Sequence, residues 1–458
     1  MKHILRIGTS IFIVALSFTG SGAFAQQQPR LFGKTINAAK VNPENGKIRC
    51  ATTEYNEYRR EQNPSLESRE EFEQWLSSKI ETVSMQRNAN TANTIITIPV
   101  VVHVIHNGDA LGNNENITDA QVLSQIQVLN EDFRKMADTP GWNDNPVGAD
   151  TEIQFALAVV DPFGQPTNGI DRVNLGVASW NESNVEGNLK PNTIWDPTQY
   201  FNIWVANFGG DLNGVLGYAQ FPNTNSVPGI GTGNGGSTTD GVIIGYRYFG
   251  SENIAPNGNY EWPYNQGRTT THEIGHALGL IHVSGDSSSC TVNTSDSQKD
   301  YCPDTPATND YNYYCDFIDS CPVANGSDMI ENYMDYTPDS CMNIFTQNQK
   351  TRMLGVLQNA PRRASLTTST VWLSTPEVAS LSSISIYPNP ASNVLNISSP
   401  NSLPQSFVIY NSLGQLVANT IVSSDADLSI NTSSYSNGVY FVKVSNGSQT
   451  KTLKFIKN

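Results

Sequence analysis

The sequence predicts a mixed α/β domain whose twisted sheet is flanked by helices and closed by an irregular, disulfide-stapled subdomain, followed by a small β-sandwich. Three observations carry this. Between residues 95 and 282 a strand, a helix, further strands and a second helix follow in turn, an order that builds a mixed sheet covered by helices. Residues 285 to 345 lose that periodicity but hold five of the six cysteines, Cys290, Cys302, Cys315, Cys321 and Cys341. A long irregular stretch in a compact domain needs covalent staples. From residue 381 short alternating strands recur between turn residues. At 458 residues the chain exceeds one ordinary core, so more than one domain is expected.

Taken in order, Lys2 and Arg6 precede an apolar run from Ile11 to Leu16, and Ala23-Phe24-Ala25 supplies a small-x-small cleavage site. Residues 1–25 read as a secretory signal peptide. The run is far short of the ~20 residues a membrane-spanning helix needs, and no later segment spans either. A net charge of −15 argues against a nucleic-acid or anionic-membrane partner. Residues 26–90 read as a prosegment, charge-rich and helical in pattern from Thr53 to Val83. Cys50 just ahead of it has two readings. It is half of a structural disulfide, or a latent zinc ligand that plugs the fourth metal position. Residues 84 to 94 are polar and unpatterned, suited to cleavage.

Residues 91–360 form the expected α/β domain. Its β-branched run from Ile95 to Ile105 is a buried strand. His103 and His106 lack ligand spacing and read as structural. Thr118 and Gln121 have a capping-box pattern ahead of an apolar stripe at Val122, Ile126, Leu129 and Phe133. Strands are expected at 153–160, 200–205, 214–221 and 241–249, the third of them at the sheet edge. Residues 272–282 read His-Glu-Ile-Gly-His-Ala-Leu-Gly-Leu-Ile-His and contain three of the six histidines. His272 and His276, four apart, share one helix face. Gly279 permits the turn that brings His282 round as a third ligand. Glu273 lies where a carboxylate can act on water at the metal. The Asp300 to Thr305 loop offers oxygen ligands for calcium, and Met334 suits a floor under a metal site. Thr346 is the expected N-cap of a closing helix, residues 361–380 read as a Ser/Thr-rich linker, and 381–458 as the sandwich.

His-Glu-x-x-His-x-x-Gly-x-x-His with a downstream Asn332-Tyr-Met-Asp-Tyr336 resembles the metzincin zinc endopeptidases. The stretch from 332 to 353, Asp304-Thr305-Pro306 and the clustered cysteines resemble their pappalysin (M43) group. That resemblance implies one zinc held by His272, His276 and His282, Glu273 as general base, Met334 as the Met-turn residue and Tyr336 as a catalytic tyrosine. It implies bridges Cys290–Cys321 and Cys315–Cys341, with Cys302 left over. It likens Arg49-Cys50 to a cysteine switch and the Asp300/Thr305 loop to a calcium site, and it places Asp339 and Ser340 in the wall of a pocket for basic residues. Ile386-Tyr-Pro-Asn-Pro390, Gly414 and the terminal Lys-Phe-Ile-Lys resemble a type IX secretion sorting domain, so the partners expected are protein or peptide substrates and that secretion machinery. The expected activity is that of a secreted, latent zinc endopeptidase. The alternatives are a zinc-containing adhesin or binding module, and a zinc amidase on a non-protein target.

Overall fold

The structure is a computed structural model, and it describes residues 30–89, 95–224, 236–290, 300–324, 326–373, 384–399, 403–446 and 449–458. The signal-peptide expectation at 1–25 lies outside the described residues, as do residues 90–94 of the expected cleavage segment.

The N-terminal portion opens with a short hairpin, β1 (Arg30–Leu31) and β2 (Lys34–Thr35). Strand β3 (Ile48–Cys50) follows, then helices α1 (Thr52–Gln62) and α2 (Arg69–Ala89). The helical pattern read from Thr53 to Val83 is thus two helices. The break falls at Asn63-Pro64, since the residue before a proline is pushed out of the helical region. The second helix continues to Ala89, so most of the stretch expected to be unpatterned is helical.

The main sheet comprises β4 (Ile96–His106), β5 (Ile153–Leu157), β6 (Ile170–Asn174), β7 (Phe201–Ala206), β8 (Val215–Ala219) and β9 (Val242–Gly245), joined by β3. Its order is β3-β8-β9-β7-β4-β5, with β6 also on β4 beyond the end of β5. Only the β8–β9 pairing is antiparallel. The expected edge strand β8 is therefore covered, because β3 adds to it in parallel with Ile48 opposite Val215 and Cys50 opposite Gly217.

Alternation along β4 divides two cores. Ile98, Val100, Val102 and Val104 face a layer that includes α3 (Asp119–Phe133) and α6 (Arg268–Ala277). Ile105, with Trp204, Ile243 and Tyr218, faces Trp180, Val185 and Leu189, beside the helical turns α4 (Glu182–Asn184) and α5 (Lys190–Thr193). Leu31, Phe32, Ile36, Ile48 and Tyr55 of the N-terminal portion complete this second core. His103 lies on the same face, bonded to Asp171 and to Asn202, both at 2.8 Å, which satisfies a buried imidazole structurally. Thr118 caps α3 by accepting from the Gln121 backbone, but the Gln121 side chain does not return the bond. It donates instead to the carbonyls of Tyr246, Phe249 and Asn259 and holds that loop.

Helix α7 (Gln347–Asn359) starts at a reciprocal capping box between Thr346 and Gln349. Residues 361–366, expected to open a linker, form helix α8 (Pro361–Leu366) instead. The buried Arg363 guanidinium donates to Asp240 and to the Ala277 carbonyl, docking α8 against the end of α6 and the approach to β9. Two arginines, with Arg362 the second, hold the Asp240 carboxyl well below its ordinary value although burial alone would raise it.

The C-terminal region has two sheets. One is β10 (Ser385–Tyr387), β11 (Val394–Ser398) and β14 (Ser429–Asn431). The other is β12 (Ser406–Asn411), β13 (Leu416–Ile421), β15 (Gly438–Asn446) and β16 (Gln449–Lys457). Leu395, Ile397, Ile409, Val442 and Phe455 form their shared core, so this is the expected sandwich.

Candidate metal centre

Helix α6 carries the centre. It follows Gly267, whose φ of +83° is the left-handed region glycine tolerates. Its first turn is tied to α3 where the Arg268 guanidinium and the Thr271 hydroxyl donate to buried Asp132 at 3.0 and 2.7 Å. His272 and His276 then project from one face, and Gly279 at φ +89° reverses the chain so that His282 joins them.

The three imidazoles converge. His276 Nε2 lies 3.1 Å from His272 Nε2 and 3.0 Å from His282 Nε2. Their Nδ1 atoms face the Tyr333 carbonyl at 2.7 Å, the Leu280 carbonyl at 2.8 Å and Asp286 Oδ1 at 2.5 Å. Each Nδ1 therefore carries the proton, and each Nε2 presents a lone pair. Three lone pairs aimed at one point repel unless a cation sits between them. Zinc–nitrogen bonds of about 2.0–2.1 Å in a tetrahedron put nitrogens roughly 3.3 Å apart, close to the spacing found. Burial, then the neighbouring imidazoles, hold His272 and His276 well below the ordinary histidine value, the neutral form a metal needs. The donor set fits zinc.

Cys50 completes a four-residue cluster whose candidate ligand atoms all lie within 4.8 Å of one another. Its thiol is 3.5 Å from Glu273 Oε2, and Thr52 Oγ1 donates to the same oxygen at 2.7 Å. Glu273 Oε1 is buried without a partner among the described residues. Burial pushes the Glu273 carboxyl up to about 8, against the pull of its Thr52 and Cys50 hydrogen bonds. Gly217 makes room for Glu273, since a Cβ there would lie 3.2 Å from its Cγ. Met334 lies beneath the helix, its sulfur 2.5 Å from where a Cβ on Gly275 would stand. The Tyr336 hydroxyl donates to the Cys50 carbonyl at 3.3 Å.

Cys290–Cys321 and Cys315–Cys341 are bridged, while Cys50 and Cys302 are free and buried. In the Asp300 loop, Thr305 Oγ1 sits 2.7 Å from Asp300 Oδ2 and 2.6 Å from the Cys302 carbonyl, so three oxygens cluster there.

Sequence reading missed one group, Asp286, and one pairing, Arg49 with Asp339. Asp286 orients His282 and accepts from Tyr311 at 2.9 Å and from Thr53 at 3.0 Å. Its spacing of four from His282 is the one local signal for it. Arg49 is fully buried, donating to Asp339 Oδ1 at 3.1 Å and to the Thr337 carbonyl at 2.8 Å with its guanidinium over the Tyr264 ring. Ser340 lies beside the Cys315 sulfur, 3.9 Å away.

A family model described as pregnancy-associated plasma protein-A (peptidase M43) matches residues 186–358, and one for the secretion system C-terminal sorting domain matches 385–458. An extracellular metalloprotease of Colletotrichum graminicola is 31% identical over 320 residues, 69% of this chain and 91% of that relative. One from Verticillium alfalfae is 31% identical over 351 residues, 75% of this chain and 95% of the relative. Among solved structures, Tannerella forsythia mature mirolysin in complex with a cleaved peptide is 39% identical, covers 60% of this chain and 96% of its own, and aligns with a TM-score of 0.50. A promirolysin mutant from that organism is 34% identical over 70% of this chain and 97% of its own, with a TM-score of 0.53.

The fold and the histidine cluster thus define a zinc metallopeptidase of the metzincin class. The chain belongs to the pregnancy-associated plasma protein-A family, peptidase M43, and its type IX sorting domain directs it out of the cell, to the surface or beyond.

Proposed function

We propose that the protein is a latent endopeptidase in which His272, His276 and His282 hold the zinc, residues 26–90 block the site, and removal of that segment releases activity. The observation that carries this reading is the convergence of three unprotonated Nε2 atoms beside a carboxylate with an unpartnered oxygen. When bound, zinc supplies a Lewis acid that brings the pKa of water down to roughly 7. Glu273 takes a proton from the attacking water and delivers it to the leaving amine. The Tyr336 hydroxyl, here on the Cys50 carbonyl, donates to the oxyanion that forms from a substrate carbonyl in the same place. With β3 gone, β8 becomes an open edge onto which an extended substrate adds as a strand. An adhesin with structural zinc would leave Glu273 with no task.

Arg49 supports a basic residue just downstream of the scissile bond, because its guanidinium fills the Asp339 pocket as such a side chain would. The processed protein incubated with casein and a peptide library tests both points. Cleavage is expected before Arg and Lys, and Asp339→Asn is expected to lower kcat/KM for those peptides roughly tenfold or more by leaving the cation unpaired. Failure to cleave any peptide would overturn the protease reading.

Asp300, Thr305 and the Cys302 carbonyl are proposed as calcium ligands, since calcium prefers clustered oxygens. Calcium is then expected to raise the unfolding midpoint by a few degrees in a melt, and Asp300→Ala to abolish the shift. An equal shift in both proteins would remove the site.

A further inference from the structure

Across the sheet from the histidine cluster, in the second core, lies an enclosed group that catalysis does not use. Lys190 is fully buried, its Nζ 4.5 Å from the centroid of the Tyr218 ring, 4.8 Å from Tyr55 and 5.6 Å from Trp204. It pairs with Glu186 at 2.6 Å. The Tyr218 hydroxyl donates to Glu186 Oε1 at 2.8 Å, and the Tyr55 hydroxyl to Glu186 Oε2 at 2.5 Å. Lys190, Glu186, Trp204 and Tyr218 all stand on the catalytic domain, whereas Tyr55 projects from α1 in the blocking segment. One wall of an aromatic cage is thus borrowed from a part that leaves.

The register says where this pocket falls. Cys50 faces the histidine cluster opposite Gly217, and the next residue of β8, Tyr218, points to the other face of the sheet, where alternate side chains of a strand added to this edge would also point. Arg49 lies to one side of Cys50, in the Asp339 pocket. Thr52, which accepts from the Ala219 amide at 2.8 Å, and Tyr55 lie to the other. If Arg49 marks the downstream side of the scissile bond, Tyr55 marks the upstream side. Once it is withdrawn, Glu186 Oε2 loses its donor and the Lys190 ammonium faces a space the size of a phenol ring. An ammonium prefers the face of an aromatic ring to an aliphatic chain, and a carboxylate prefers a hydroxyl to a hydrocarbon edge.

We propose that the space filled by Tyr55 is, in the processed enzyme, a subsite for an aromatic side chain on the N-terminal side of the scissile bond, preferring tyrosine to phenylalanine, with Glu186 and Lys190 as its specificity-determining residues. This rests on the reading of residues 26–90 as a removable block over a peptidase site. A basic downstream residue and an upstream tyrosine would together define the cleaved sequence.

The test uses the full chain, allowed to process, and a peptide series with one arginine after the scissile bond and Tyr, Phe, Leu or Ala at each upstream position in turn. At one upstream position kcat/KM for Tyr is expected to exceed that for Phe by roughly tenfold, from the hydroxyl–carboxylate hydrogen bond. Phe is expected to exceed Ala there by about tenfold, from the ring against the ammonium and the lost apolar contact. In Glu186→Gln the Tyr-to-Phe ratio is expected to fall towards unity while the Phe-to-Ala ratio persists. A flat upstream profile with normal cleavage before arginine would overturn the subsite and leave the protease reading standing. Absence of all cleavage would overturn both. The wild-type profile decides even if the variant fails to mature.

Discussion

Glu273→Ala is expected to retain the metal and to lose peptide hydrolysis by roughly 10²–10⁴-fold, the range a positioned general base contributes. The separation of the two effects follows from geometry. Glu273 takes no part in orienting the imidazoles, whose Nδ1 protons go to Tyr333, Leu280 and Asp286. Removing the carboxylate therefore leaves the three Nε2 atoms where they are. It also removes a buried acid that has one oxygen unpartnered, so the fold has little to lose. Metal analysis of the purified variant checks the first half, and turnover of an arginine-containing peptide by the processed variant checks the second. Full activity in the variant would sink the mechanism. Loss of metal together with activity would show instead that Glu273 holds the centre in place. A variant that still cleaves, but with its optimum moved, would assign proton transfer to another group.

What the sequence made legible here was local. His272, His276 and His282 fall within one helix and one turn, and helical periodicity with a single glycine specifies their geometry. Met334 was legible as a conformable side chain suited to a floor, and the resemblance to a known motif gave Met334 and Tyr336 their roles. By contrast, Arg49 and Asp339 are separated by 290 positions, and nothing near either one signals the other. Strand β3 has three residues, too short for any alternation to register. Strand β6, Ile-Asp-Arg-Val-Asn, is only partly buried and lacks the apolar face that reveals a strand. Strand β13 is largely exposed for the same reason. The start of the expected 361–380 linker, residues 361–366, misled through composition. Its Ser/Thr content suggested a linker, but Arg363 reaches Asp240 across 123 positions, and a buried ion pair can anchor a helix that has few apolar residues of its own.

Cys50→Ala, made in the full chain, is expected to convert the silent zymogen into one with measurable activity before any cleavage, and to speed its conversion to the processed form. The thiol is the candidate fourth ligand, and a thiolate on zinc occupies the place where water must stand. Alanine cannot coordinate, so the position opens. The effect should nevertheless be partial, because three other contacts survive the change. Arg49 still fills the Asp339 pocket, β3 still adds to β8, and Glu73 of α2 still clasps Arg352 of α7 through two bonds of 2.7 Å. That last pair bears on the centre itself, since Arg352 also donates to the carbonyl of Gly279 at 3.1 Å, in the turn that delivers His282. On the proposed reading, blocking is shared between a ligand that stops the chemistry and a set of contacts that hold the segment down. A Glu73→Ala change separates them. It should weaken the hold without opening the fourth position, so it should quicken processing but leave the uncleaved zymogen silent. The double variant Cys50→Ala/Glu73→Ala should be more active before cleavage than Cys50→Ala alone. Following a quenched-fluorescent arginine peptide while monitoring chain length on gels reads both quantities. Latency unchanged in Cys50→Ala would remove the thiol from the switch and leave occlusion by β3 and Arg49 as the sole cause of silence.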